Sequence, residues 1–222
     1  MAVPEMHVAW HEQLLVKTFM KESAVLQDTA FWGLDFYMGE KPVHFPRVQV
    51  RVAYDQHAIG VHFHVRDRYI RAVARQHQDE VYKDSCVEFF FTPGSDPDAG
   101  YFNLEMNCGG IMLFHFQPEP RKNRIIVPVD VCQSIPVVHT LPEIVDPEIT
   151  ESLIWEVAYA IPFELLETYC PVVKPVPGEV WRGNFYKCGD ATSHPHWLTW
   201  APVAYPVPNF HCPGSFGTLR FL

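Results

Sequence analysis

The sequence has no apolar run approaching the roughly 20 residues that a membrane-spanning helix needs. Basic residues are also few, since 17 Lys plus Arg stand against 26 Asp plus Glu and give a net charge of −9. They are scattered along the chain and form no basic stripe. This balance argues against a nucleic-acid partner and against docking on an anionic membrane.

The N-terminus shows no basic segment followed by an apolar core, so we see no signal peptide. We therefore expect a cytoplasmic protein if the gene product begins here, and an extracellular or periplasmic one if a leader was removed. Disulfides are not needed in a chain of this size, although the six cysteines form an even number. We predict buried free thiols.

Segments with the helical period are scarce, whereas prolines are abundant: 20 in 222 residues, against a usual share of about 5%. Many short period-two runs between turn residues predict an all-β fold. We predict one antiparallel β-sandwich domain over residues 1–222, immunoglobulin-like or jelly-roll-like, with long Pro-rich loops and one or two short helices. Residues 1–47 show the weakest pattern and are treated as an N-terminal extension.

The predicted strands follow from alternation along the chain. Trp10 and residues 14–19 predict an edge strand, and residues 48–54 and 59–66 predict a hairpin. Residues 82–116 predict two or three strands, and the prolines demote the strands in 125–131 and 135–141 to sheet edges. Further strands are predicted at 154–161, 180–188 and 218–222, with a short helix beginning at Pro162.

The predicted strand 101–107 carries different chemistry on its two faces. Phe102, Leu104 and Met106 point one way and form a core wall. The other face carries Tyr101, Asn103, Glu105 and Asn107, next to Glu88 of the preceding strand. Carboxylates and amides exchange paired hydrogen bonds with sugar hydroxyls, but an ordinary solvated sheet face has the same composition.

Aromatic residues cluster in the late loops, where a sugar ring could stack on an exposed face. They are Trp197, Trp200, Tyr205 and Phe210. Most such residues in a sandwich belong to the core. Phe210 lies between Pro208 and Pro213 and is the better candidate for exposure. In the same region Cys188, His194 and His196, and later His211 and Cys212, have zinc-ligand chemistry. The spacing of the first three matches no standard structural zinc pattern.

Several long phrases together resemble the stand-alone family 9 carbohydrate-binding module-like proteins, from about residue 48 to residue 222. They are KDSCVEFFFTP, YFNLEMNCGG, WRGNFYKCGD, HPHWLTWAPV and PNFHCPGSFGTLRF. The resemblance implies a sandwich of two antiparallel sheets. It also implies non-catalytic binding of an oligosaccharide or polysaccharide.

In modules of this type a sugar at a chain end is held between two tryptophans and nearby polar side chains. The resemblance places the two aromatic positions at Tyr82 and Phe210, which should face each other across a groove about one sugar ring wide. It places a polar partner at Glu88, and Glu105 at the position of a binding arginine. The predicted carbohydrate-binding residues are Tyr82, Glu88, Asn103, Glu105, Asn107 and Phe210.

Related modules also carry structural calcium, but its ligands cannot be matched here residue by residue. We therefore predict no cofactor and leave calcium open.

Two other functions remain open at this point. A glycan-active hydrolase would use Glu88 and Glu105 as an acid/base pair, or His211 as a base. A haem-binding electron-transfer sandwich would draw its ligands from methionine and histidine. The candidates for that set are Met106, Met112, His115 and His211.

Overall fold

The computed structural model describes residues 3–13 and 29–222. Its strands are β1 Glu5–Trp10, β2 Trp32–Gly33, β3 Phe36–Tyr37, β4 Arg47–Tyr54, β5 Ala58–Asp67, β6 Ile70–Ala72, β7 Cys86–Thr92, β8 Tyr101–Asn107, β9 Met112–Gln117, β10 Ile125–Ile126, β11 Val137–His139, β12 Val145–Ile149, β13 Leu153–Pro162, β14 Val180–Cys188, β15 Trp197–Thr199 and β16 Gly217–Phe221. Two short α-helices are Val129–Ser134 and Phe163–Glu167. Within this part of the chain, no helix is long and apolar enough to cross a bilayer.

Two β-sheets form a sandwich, which confirms the predicted fold class. The first has the strand order β10-β9-β8-β7-β14-β16, and the second has β4-β5-β13-β11. Neighbours within each sheet are antiparallel. Strand β1 joins the two sheets, because its first residues pair in parallel with β16 and its last two pair in parallel with β4.

The main core lies between the sheets and follows the predicted alternation. Phe102, Leu104 and Met106 of β8 are all fully buried in it. Phe89 of β7 stacks on Phe185 of β14, with ring centroids 4.6 Å apart. Each large apolar side chain buried in this way contributes about 1.5–3 kcal/mol to folding. This packing fixes which side chains of β7, β8 and β9 point away from the core.

The outer face of the first sheet is also partly covered, so it is not an ordinary solvated sheet face. A second cluster of buried apolar side chains lies there. Its members include Phe90, Tyr101, Tyr186, Phe210 and Phe216. The loop that carries Phe210 therefore packs back onto the sheet and forms a wall above it.

Several local predictions are refined by the structure. Trp10 lies in β1, inside the sheet path rather than at its edge, and residues 14–19 lie outside the described residues. Segment 125–131 forms only the two-residue β10 before the helix Val129–Ser134, because proline fits at a helix start but not inside a strand. β10 and β11 are the two ends of the sheet path, as predicted, and a short helix follows Pro162.

All six cysteines are free thiols, as predicted. Four of them are buried, namely Cys86, Cys108, Cys132 and Cys188. Cys170 and Cys212 are partly exposed.

Candidate functional site

A cavity of about 340 Å³ opens on the outer face of the first sheet. Its floor consists of Glu88 and Phe90 of β7, Asn103 and Glu105 of β8, and Leu113, His115 and Gln117 of β9. These side chains alternate with core residues, so the main core fixes their direction. The walls are Tyr82, Arg121, Arg124, Cys188, Asp190, Trp197, Pro208, Asn209, Phe210 and His211.

Five of the six predicted site residues line this one cavity: Tyr82, Glu88, Asn103, Glu105 and Phe210. Asn107 does not. Its Oδ1 accepts hydrogen bonds from the backbone N–H groups of Gly109 and Ile111, and its Nδ2 donates to Asp84 Oδ2 at 3.0 Å. The side chain shapes the turn after β8, and we remove it from the candidate set.

A chain of hydrogen bonds runs across the cavity floor. Gln117 Nε2 donates to Asn103 Oδ1, and Asn103 Nδ2 donates to Glu105 Oε1, both at 3.0 Å. The remaining oxygen of Gln117, Oε1, is buried and has no hydrogen-bond partner among the described residues. Because a buried polar atom without a partner is costly, this oxygen is an acceptor that a ligand hydroxyl can satisfy.

The two floor carboxyl groups lie directly opposite each other, Glu88 on β7 and Glu105 on β8. Burial raises the pKa of Glu105 to about 7. Burial, with Cys188 and Glu105 nearby, also raises the pKa of Glu88 well above its usual range. A protonated carboxyl group both donates and accepts hydrogen bonds, as a hydroxyl does.

Three aromatic rings line the cavity walls, and they differ in how much of each ring is exposed. Phe210 is 8% exposed and stacks on Tyr186, with ring centroids 4.1 Å apart and an interplanar angle of 12°. Tyr82 is half-buried, and its hydroxyl donates to Glu80 Oε1 at 2.5 Å. Trp197 is also half-buried, and its indole Nε1 donates to Asp190 Oδ1 at 2.8 Å. Tyr82 and Trp197 therefore offer more ring surface than Phe210.

Two arginines contribute positive charge to the cavity. Arg121 donates to Asn209 Oδ1 from Nε at 3.3 Å and from Nη2 at 3.1 Å, which ties the turn after β9 to the Phe210 loop. Burial, with Arg124 nearby, lowers the pKa of His115 to about 4. Burial, with Arg121 nearby, lowers the pKa of His211 to about 3. At neutral pH the cations at this cavity are therefore the arginines.

The cavity has further lining residues that were not in the predicted set, and only some of them could have been found from the sequence. The alternation that placed Asn103 and Glu105 also places His115 and Gln117 on the outer face of β9. Trp197 was among the loop aromatics, but no pattern distinguished it from the others. Arg121 and Arg124 lie in an irregular turn, where no periodicity indicates direction.

Two predicted ligand sets are not brought together by the structure. Met106 and Met112 point into the main core, whereas His115 and His211 line the cavity on the other side of the sheet. These four residues therefore cannot ligate one haem iron.

The candidate zinc ligands Cys188, His194 and His196 also do not form one site, because each contacts a different partner. Cys188 Sγ donates to Glu88 Oε1. His194 stacks on Tyr69, with ring centroids 3.6 Å apart. His196 Nε2 accepts from Lys187 Nζ at 2.8 Å.

Clustered acidic side chains in the described part of the chain supply no calcium ligand set. Calcium takes six to eight oxygen ligands. The single cluster of three or more His, Cys, Asp or Glu ligand atoms among residues 3–13 and 29–222 is Cys86, Glu88 and Cys188. Two of its three ligand atoms are sulfur, so it does not fit calcium.

The two glutamates of the hydrolase alternative lie on one side of the cavity. A hydrolase places its two carboxyl groups on either side of the scissile bond. Here Glu88 and Glu105 are cross-strand neighbours on the same floor. Their arrangement favours a ligand resting on them over one held between them.

A β-sandwich with aromatic walls and an amide and carboxyl floor defines a non-catalytic carbohydrate-binding protein. The chain belongs to carbohydrate-binding family 9, whose family model matches residues 19–221. No curated protein is similar enough to the chain to count as a relative.

Solved structures resemble the chain over nearly its whole length. A candidate carbohydrate-binding protein from Bacteroides uniformis has 29% identity and a TM-score of 0.88, with 100% of both chains covered. A family 9 module from Caldicellulosiruptor kristjanssonii in complex with glucose has 12% identity and a TM-score of 0.64, covering 99% of this chain and 96% of its own. The same organism's module with cellotriose has 11% identity and a TM-score of 0.63, covering 98% and 93%. These last two likenesses support the fold.

Proposed function

We propose that the cavity binds the terminal one or two rings of a neutral oligosaccharide without breaking a bond. The observation that carries this proposal is the convergence of three aromatic rings on a floor of buried amide and carboxyl groups. Aromatic faces suit the apolar faces of a sugar ring, and the floor suits its hydroxyl groups. A volume of about 340 Å³ is at the small end of ligand cavities, which favours a chain end over the middle of a polymer.

Each group has a role in this proposal. Tyr82 and Trp197 provide the accessible stacking surfaces, while Phe210 provides a fixed wall. Gln117 Oε1 accepts a hydroxyl hydrogen bond, and Glu105 exchanges one. The modules of similar fold that contain glucose and cellotriose make glucose-type sugars the first ligands to test.

Isothermal titration calorimetry with glucose, cellobiose and cellotriose tests the proposal. We expect a Kd of about 1 μM to 1 mM, as is usual for a small ligand with few contacts. Tyr82→Ala should weaken binding at least tenfold. The matched control is Tyr205→Ala, because Tyr205 is 49% exposed and lies outside the cavity. Sugar binding that is unchanged in Tyr82→Ala would place the ligand elsewhere on the protein.

A further inference from the structure

Two thiols and one carboxyl group form a compact cluster at the edge of the cavity floor. Cys86 of β7 and Cys188 of β14 are paired directly across the two antiparallel strands. Glu88 lies two residues along β7 and therefore on the same face. The two sulfur atoms and a carboxylate oxygen all lie within 4.8 Å of one another. Cys188 Sγ donates to Glu88 Oε1 at 3.0 Å.

Sugar binding does not account for this cluster. Glu88 and Cys188 line the cavity, but Cys86 is fully buried behind them and does not reach it. A buried carboxyl group and two adjacent thiols cost free energy that an apolar cluster would avoid. Two adjacent thiols beside a carboxyl group have the ligand chemistry of a soft or borderline metal ion.

The geometry fits one class of ligand. A tetrahedral zinc ion lies at ~2.3 Å from sulfur and ~2.0–2.2 Å from oxygen, which separates its ligand atoms by roughly 3.4–3.8 Å. The three ligand atoms all lie within 4.8 Å of one another, so small side-chain rotations would have to adjust them to that spacing. Thiolate ligands select soft or borderline cations and disfavour calcium and magnesium, which prefer oxygen.

We infer that Cys86, Cys188 and Glu88 form a binding site for a thiophilic divalent cation of the zinc class. The cation enters through the cavity, because Glu88 and Cys188, although buried, are among the residues that line it. A water molecule takes the fourth position on the cavity side. The two thiol protons are released to solvent, since a coordinating thiol is deprotonated by the metal. The inference does not rest on sugar binding.

A disulfide between Cys86 and Cys188 is the competing outcome. Their directly opposed positions on neighbouring strands permit such a bond. A disulfide would remove the Cys188 S–H group that donates to Glu88, and it would leave Glu88 without a role in the cluster. Burial of both sulfur atoms also makes them poor nucleophiles for thiol–disulfide exchange.

The test uses the full chain, purified under reducing conditions and freed of metal. Equilibrium dialysis against Zn²⁺, with metal quantification, should give one equivalent per chain. Cd²⁺ should bind with thiolate charge-transfer absorption, and Ca²⁺ should not bind. Cys86→Ser and Cys188→Ser should each weaken Cd²⁺ binding at least 100-fold, and Glu88→Gln at least tenfold.

The matched control is Cys132→Ser, because Cys132 is equally buried but lies outside the cluster. It should keep wild-type metal affinity and absorption. Circular dichroism and the alternative variants Cys86→Ala and Cys188→Ala separate loss of ligands from loss of fold.

Three results would overturn the inference. One is the absence of metal uptake by the reduced wild type. Another is Cd²⁺ absorption that survives in the Cys86→Ser and Cys188→Ser variants. The third is a thiol titration of the denatured protein, purified without reductant, that finds four thiols with Cys86 and Cys188 oxidised.

Discussion

The ring of Phe210 lies flat against the ring of Tyr186, with centroids 4.1 Å apart, and the Tyr186 hydroxyl donates to the Phe210 backbone carbonyl at 3.2 Å. Phe210 is thus held on β14 both by ring stacking and by a hydrogen bond to its backbone. Tyr82, on the same cavity, is half-buried and held by Glu80. The two aromatic positions therefore differ. The Phe210 ring is packed into the fold, whereas part of the Tyr82 ring is accessible to a ligand.

This inequality predicts different effects of truncating the two rings. Phe210→Ala should lower the free energy of unfolding by about 3 kcal/mol, because it leaves a cavity against Tyr186. Phe210→Leu should recover most of that loss. Urea denaturation measures both, with Tyr205→Ala as the exposed control. Equal stability of Phe210→Ala and Tyr205→Ala would contradict the packing role.

A second prediction separates the two asparagines of β8. Asn103 joins Gln117 and Glu105 on the cavity floor, so Asn103→Ala should weaken sugar binding at least tenfold. Asn107 makes three hydrogen bonds in the turn, so Asn107→Ala should cost about 2–3 kcal/mol of stability and leave the sugar affinity of the folded protein unchanged. Calorimetry and urea denaturation on both variants check this. The reverse pattern would return Asn107 to the binding set.

Alternation explains how much of this site could be predicted. The apolar residues Phe102, Leu104 and Met106 fixed one face of β8, so Asn103 and Glu105 had to lie on the other. Alternation also placed Asn107 with them, because the alternation of side chains does not indicate where a strand ends and a turn begins. Arg121 reaches the cavity through the turn after β9, and Trp197 reaches it because the short strand β15 pairs with β14. Both placements depend on contacts far apart in sequence, such as Arg121 with Asn209.

A third prediction concerns a buried cation, Lys187 of β14. Lys187 Nζ is fully buried, 3.4 Å from Asp67 Oδ2. Although burial alone would raise the pKa of Asp67, Lys187 and His44 hold it well below its usual range. Lys187→Met leaves that carboxylate without its main cation, so it should cost about 3–5 kcal/mol of stability.

The matched control for this prediction is Lys83→Met, which breaks the exposed ion pair with Glu80 and should change stability little. Urea denaturation at neutral pH measures both variants. If Lys187→Met unfolds at the wild-type denaturant concentration, the buried ion pair makes no net contribution.

The last prediction concerns acid sensitivity at His196. His196 Nδ1 lies 2.9 Å from the backbone oxygen of His194 and donates to it, so the neutral ring accepts from Lys187 at Nε2. Burial, and then the Lys187 charge, lower the pKa of His196 to about 3. The unfolded chain binds a proton at this residue below about pH 6.5, and the folded chain does not until about pH 3. This group therefore makes the protein lose stability as pH falls from 6.5 toward 3.

His196→Gln isolates that contribution, because a glutamine amide can both donate to His194 and accept from Lys187 without titrating. Between pH 7 and pH 4 the variant should lose about 2–3 kcal/mol less stability than the wild type. Urea denaturation at pH 7, 5 and 4 measures the difference, in which the titrations of groups distant from His196 cancel. Parallel pH profiles for the two proteins would mean that His196 is protonated in the folded state, and the Lys187 contact would then have to open at low pH.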